Sequence, residues 1–268
     1  MVLRLQRQTL HRLIACAWLG GLAAAADAAL PALPSSATPS AVVEPICRLY
    51  LDPHDKFTRV VQDPVPAGRF PSQTMSNISV NYTGFTPQAQ AAFQAAVEIW
   101  QTQLGSSVPL VVDASFTSLG ANVLGSAGFT GVSSSFPNIP RAATFFPIPI
   151  VNKLAGSDRN GANAEISARF NSGFTWYYGT DGLTPSGQVD FISVVLHELG
   201  HGLGFIGSAS VSALGSGSLN STPYIYDVSV VDGAGVSILD AAAYPNPSPA
   251  LGALLTSGNV FWNGASGR

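Results

Sequence analysis

The sequence predicts an α/β or α+β sandwich, and three observations carry that expectation. A strand–helix–strand run occupies residues 78 to 112, an alternating segment AEISARF spans Ala164 to Phe170, and a long apolar helical stretch begins at Phe191. In the first run, Ile78-Ser79-Val80-Asn81-Tyr82 alternates apolar and polar residues as a half-buried strand does. Thr86 follows with a side-chain oxygen suited to open a helix, and Pro87 sits at the first helical position, where a missing N–H costs nothing. Ala89, Ala92, Phe93, Ala96, Val97 and Trp100 recur at helical spacing, and Gly105 is the expected stop. Val108 to Val112 is the second strand.

Between about residues 115 and 160 the chain is rich in Gly, Ser, Pro and Phe with weak periodicity, which predicts ordered loops and short strands. GSDRNGANAE, residues 156 to 165, carries Asp158, Asn160, Asn163 and Glu165, all oxygen-bearing as Ca²⁺ ligands are. Their spacing matches no calcium loop, so a plain turn is expected. Glu165 is expected to face solvent from AEISARF, itself expected at the sheet edge. GTDGLTPSGQ at 179 to 188 is turn chemistry, and Asp190 is placed to cap a helix starting at Phe191. The aromatic run Phe174, Trp176, Tyr177 and Tyr178 is expected to pack in the core rather than line a cleft. Three glycosylation triplets, at Asn77, Asn81 and Asn220, carry little weight because such triplets arise by chance.

Composition narrows the function classes. The chain has 268 residues, 46% hydrophobic and 10% charged, which excludes disordered tails, collagen and coiled coil. A net charge of -3 with scattered Lys and Arg argues against nucleic-acid binding. Arg4, Arg7, His11 and Arg12 precede an apolar run from Leu13 to Ala26, and Ala26-Asp27-Ala28 offers small residues for cleavage. Residues 1–28 are therefore read as a signal peptide, too short in its apolar run for the roughly 20 residues of a bilayer span. Residues 29–45 form a Pro/Ala/Ser-rich linker, and 46–268 form the folded domain. Without residues 1–28, which hold three Arg and one Asp, nine basic residues face 14 acidic ones, a net charge of -5. Cys47 is then the lone thiol, expected to stay buried or inert. The expected product is a secreted monomer with no stable membrane anchor after cleavage.

The chemistry is concentrated in DFISVVLHELGHGLGF, where His197 and His201 stand four residues apart with Glu198 between them. Residues at i and i+4 lie one turn apart on a helix, about 5–6 Å between Cβ atoms. Two imidazole nitrogens so placed can reach one Zn²⁺ at about 2.0–2.1 Å. Zinc would lower the pKa of a bound water and polarise a carbonyl, and Glu198 would take the water's proton as general base. With four histidines in the chain, one in the signal segment, a chance pairing with glutamate is improbable. An unpaired carboxylate on so apolar a helix would also cost several kcal/mol.

HELGHGLGF resembles the extended HExxHxxGF signature of metzincin-type zinc peptidases, among them leishmanolysin-like enzymes and exported bacterial zincins. The resemblance covers residues 75 to 268. It implies an α+β zincin-like domain with a twisted mixed sheet, a backing helix and an active-site helix ending at Gly204. It implies a Zn²⁺-dependent endopeptidase acting on protein or peptide substrates, with His197 and His201 as ligands and Glu198 as catalytic base. The sequence departs from that signature at Gly207, where compact-site relatives place a third His or Asp. No His follows His201, and Met1 and Met75 are the only methionines, so the methionine turn beneath the metal is absent as well. Two explanations are open: a C-terminal continuation carrying the third ligand, which the resemblance favours, or substitution by Asp227 or Asp232. His54 ranks below both. The rival reading is a catalytically inactive or incomplete secreted binding module.

Overall fold

The computed structural model describes residues 47–50 and 76–264. The expected signal peptide, the linker and His54 lie outside the described residues.

The chain opens with β1 (Cys47–Tyr50) and β2 (Ile78–Thr83), then helix α1 (Pro87–Gln103) and β3 (Leu110–Thr117). The start of α1 follows the sequence expectation, since Thr86 Oγ1 accepts the Ala89 N–H at 3.2 Å and Pro87 stands in the first turn. The helix ends at Gln103, before Gly105, and buries Ala89, Ala92, Phe93, Ala96 and Val97. The weakly patterned stretch that follows contains more structure than loops. It holds β4 (Val123–Phe129), the short pair β5 (Val132–Ser133) and β6 (Phe146–Pro147), and helix α2 (Ile148–Ala155) closed by left-handed Gly156. Helix α2 escapes sequence reading because Pro147 and Pro149 look like loop punctuation; Pro149 in fact occupies the first turn, where proline is tolerated.

After β7 (Ile166–Asn171) comes a two-residue parallel pair, β8 (Trp176–Tyr177) and β9 (Val189–Asp190), which leads directly into helix α3 (Phe191–Gly202). The remainder is assembled from small pieces: β10 (Ser210–Val211), β11 (Gly217–Ser218), a 3₁₀ turn at Asp227–Ser229, β12 (Val230–Asp232), helix α4 (Pro249–Thr256) and β13 (Val260–Trp262).

This is a mixed α/β chain around a five-stranded mixed sheet of order β1-β4-β7-β3-β2. Strands β2, β3 and β7 run parallel, whereas β4 is antiparallel to both β7 and β1. AEISARF is therefore an interior strand, hydrogen-bonded on both sides, and not the expected edge. Along β3 and β7 the burial alternates, so that Leu110, Val112, Ala114, Ile166, Ala168 and Phe170 face one core with α1 and α3. The buried residues of the C-terminal pieces, among them Tyr226, Ile238 and Leu251, form a separate cluster. Among the described residues no helix is long and apolar enough to cross a membrane.

Candidate functional site

Helix α3 carries the histidine motif and is held on three sides. At its N-terminus Asp190 Oδ1 accepts the Ile192 N–H at 3.1 Å, and Oδ2 accepts the Ser193 hydroxyl at 2.6 Å, the capping that the sequence predicts. Phe191, fully buried, meets Phe116, Phe170, Trp176 and Tyr178 in edge-on contacts with ring centroids 5.0–5.8 Å apart. Trp176 and Tyr178 thus serve packing, as expected. From the second side Trp100 of α1 donates its indole N–H to Leu196 O at 3.2 Å. From the third, the last turn presses so closely on β7 that a Cβ at Gly202 would stand 2.4 Å from Ile166 Cγ2. Gly204 then turns the chain with φ +107, a conformation that side-chain-bearing residues avoid.

That turn fixes a histidine. It brings Phe205 O to 3.0 Å from His201 Nδ1. A carbonyl oxygen can only accept, so the His201 Nδ1–H donates in this contact. His201 Nε2 lies 3.0 Å from His197 Nε2, with ring centroids 4.7 Å apart and ring planes nearly perpendicular. The two ring nitrogens thus meet within hydrogen-bond distance, and a backbone carbonyl on Nδ1 is the kind of partner that orients a metal-ligating imidazole. His201 is 1% exposed and Glu198 is fully buried, while His197 is the partly exposed member. The motif therefore has one face open to solvent and one set in the core.

Other candidates raised by the sequence are committed to structural tasks. Gly207 has no room for a ligand, because even a methyl there would come within 2.4 Å of Asp227 Oδ1. Asp227, 1% exposed, accepts from Ser208 N at 2.9 Å, Ser208 Oγ at 2.6 Å and Tyr224 N at 2.8 Å. Burial pushes its carboxyl above the usual range, and the hydrogen bonds from Ser208 and Tyr224 oppose that rise. Asp232 instead closes a turn, accepting from Ala234 N, Val236 N and the Tyr244 hydroxyl, which holds its carboxyl below the usual range.

Glu165 does not face solvent. It is 3% exposed, and its Oε2 accepts the Val111 N–H at 2.6 Å while Oε1 accepts from Asn152 Nδ2 at 3.1 Å. Asn152 also donates to Asn160 Oδ1 at 2.8 Å, and Asp158 Oδ1 accepts the Asn160 and Gly161 amides in an Asx turn. The oxygen-rich segment is thus the plain turn expected, but one tied to the sheet through Glu165. One residue that matters here left no sequence signal, Asn152 on an unrecognised helix, and Phe205, the last residue of the quoted signature, contributes through its backbone carbonyl, which no side-chain pattern announces.

A family model described as SPBPB7E8-like matches residues 77–216, more than half of the chain. The chain belongs to the SPBPB7E8-like family. That span contains α1, the whole sheet except β1, and the motif helix. A search of curated proteins found no match.

This assignment overturns the metzincin-type resemblance. The family model that matches is the SPBPB7E8-like one and not a metzincin-type one, and among the described residues no group of three or more His, Cys, Asp or Glu is placed to hold a metal ion. The physical reason is local: HELGHGLGF reproduces one helical turn of that signature, whereas the position of the third ligand is filled by a glycine pressed against a carboxylate already engaged elsewhere.

Proposed function

We propose that the SPBPB7E8-like chain is an exported zinc-dependent endopeptidase with Glu198 as general base. One observation carries the reading: the Nε2 atoms of His197 and His201 stand 3.0 Å apart, with His201 Nδ1 at 3.0 Å from Phe205 O. The donor chemistry fits a zinc ion on these two sides, since neutral imidazole nitrogen is a preferred zinc donor. The remaining coordination would come from solvent. Sheet and motif helix would then serve as a zincin-like scaffold in architecture alone, apart from the metzincin-type family. The basic-then-apolar opening of the chain supports export by way of a signal peptide.

A zinc ion held there would supply Lewis acidity toward a water molecule and a peptide carbonyl. The chain's own residues would do the rest. His197 and His201 would turn their Nε2 atoms to the ion, and the Phe205 carbonyl would orient His201 by accepting from Nδ1. Glu198, one residue from His197 and buried, would accept the proton of the attacking water on a carboxylate oxygen and return it to the departing amine. An extended peptide would lie along β4, the antiparallel strand that packs on α3, pairing through main-chain hydrogen bonds.

A second reading, a secreted module that binds without turnover, draws on the same count of two imidazole donors, which alone would hold zinc weakly. Casein cleavage by the purified full chain with added zinc separates the two. Cleavage that falls by about 10²-fold or more in Glu198→Ala, with zinc content unchanged, supports the peptidase. Full proteolysis by Glu198→Ala would sink the mechanism, and zinc retention with no cleavage by the natural chain would favour the binding module.

A further inference from the structure

Strand β1 is an outlier in the fold. It is four residues long, it is followed by 27 residues before β2, and it joins the sheet at the far end from its sequence neighbour. It pairs antiparallel with β4 in the register Cys47↔Ala127, Arg48↔Ser126, Leu49↔Gly125 and Tyr50↔Val123, with a break between Leu49 and Tyr50. It also touches α3, so whatever lies on this edge lies beside the histidine helix. Leu49 is its attachment to the main core, half-buried against it.

We propose that residues 47–50 are a built-in occupant of the peptide-binding edge, an extended segment of the chain itself that must leave β4 before another peptide can pair there. The inference rests on the peptide placement proposed above. Three features support it. An extended peptide binds a sheet by supplying one more row of main-chain hydrogen bonds, and β1 already supplies that row to β4. Opposite it β4 presents Gly125, Ser126 and Ala127, small residues that impose little side-chain preference on the occupant. Gly125 is held to that size, because a Cβ there would meet Phe170 Cδ1 at 3.1 Å and Arg169 O at 3.2 Å. Finally, the hold is short: four residues interrupted by a register break form a ladder that opens readily compared with the five- and six-residue ladders of β7. The occupant thereby also prevents the β4 edge from pairing with other copies of the chain.

The test uses the full chain and a fluorescein-labelled peptide of residues 45–51 as probe, with Leu49→Ala and Leu49→Pro as the releasing variants. Amide hydrogen exchange at residues 123–127 is expected to speed up by about tenfold in Leu49→Ala, and further in Leu49→Pro. The same variants are expected to bind the probe about tenfold more tightly than the natural chain, and bound probe is expected to restore protection to 123–127. Should Leu49→Pro fail to fold, Leu49→Ala decides. Unchanged exchange in β4 together with equal probe binding by the natural chain and Leu49→Ala would overturn the proposal. These readouts need neither zinc nor turnover, so they stand apart from the casein assay: release without cleavage would leave the occupant established and count against the peptidase alone.

Discussion

Two regions of the molecule solve the burial of a carboxylate in opposite ways. Glu198 sits fully buried on α3 amid one large core, one residue from His197, whose ring nitrogen converges on that of His201. Asp227, equally deep, sits in the C-terminal region of short strands and turns, and its oxygens are taken up by Ser208 and Tyr224. The first region is packed on by long elements. The second has a smaller core of its own, around Ile238 and Leu251, and is also pinned by carboxylates, Asp227 at one turn and Asp232 at another. A buried carboxylate whose acceptors are filled by neighbouring amides and a hydroxyl, as at Asp227, is a structural staple, whereas the function proposed for Glu198 beside the two imidazoles is proton transfer.

The difference can be broken from either side. The largest effect is expected in the α3 region, where Phe191→Ala would remove the ring on which Phe85, Phe116, Phe170, Trp176 and Tyr178 converge. A loss of about 3–5 kcal/mol in urea unfolding is expected. Asp227→Ala is expected to cost about 3 kcal/mol, because it strips a charge-assisted acceptor from the Ser208 and Tyr224 donors. That loss should fall on the C-terminal region, seen as faster amide exchange over 205–232 with residues 110–117 still protected. Equal deprotection of both stretches would mean that the two regions are one cooperative unit.

The smallest effect concerns pH. Burial raises Glu165 and Asp227 above their ordinary values of 4.5 and 3.8, so the folded chain binds their protons at a pH where the unfolded chain has lost them. Their contribution to stability therefore increases as pH falls through the raised folded values, and the gain is complete below the ordinary ones. Asp232 works in the other direction. Its carboxyl is lowered chiefly by the Tyr244 hydroxyl, and its contribution is present above the ordinary value and lost as pH falls through the lowered one. Glu165→Gln should remove part of the acid-side gain, measured as a smaller rise in urea midpoint than in the natural chain as pH is lowered from neutral to below the ordinary value of 4.5. A larger rise in the variant would contradict the burial argument.

What the sequence made legible was what is local in the chain. The Thr86 cap, the α1 stripe, the Asp190 cap and the His197–His201 pair all lie within one or a few helical turns, so spacing alone exposes them. Contacts that join distant segments stayed hidden. Glu165 reaches Val111 across 54 residues, and Asp227 reaches Ser208 across 19, and no periodicity marks either. The interior position of β7 was equally invisible, because alternation reports one covered face and says nothing about hydrogen-bonded neighbours in the sheet. The family resemblance failed for a related reason. The helical turn of signature is local and legible, as is the departure at Gly207, but that Gly207 packs against Asp227, 20 residues further along the chain, is not.

On the proposed function, His197 and His201 hold one cation together. Titration of Zn²⁺ into the full chain, followed calorimetrically, checks this. One zinc per chain is expected, with binding weakened by at least tenfold in His197→Ala and in His201→Ala but kept in Glu198→Gln. Zinc binding that survives both histidine substitutions, or no zinc binding by the natural chain, would contradict it.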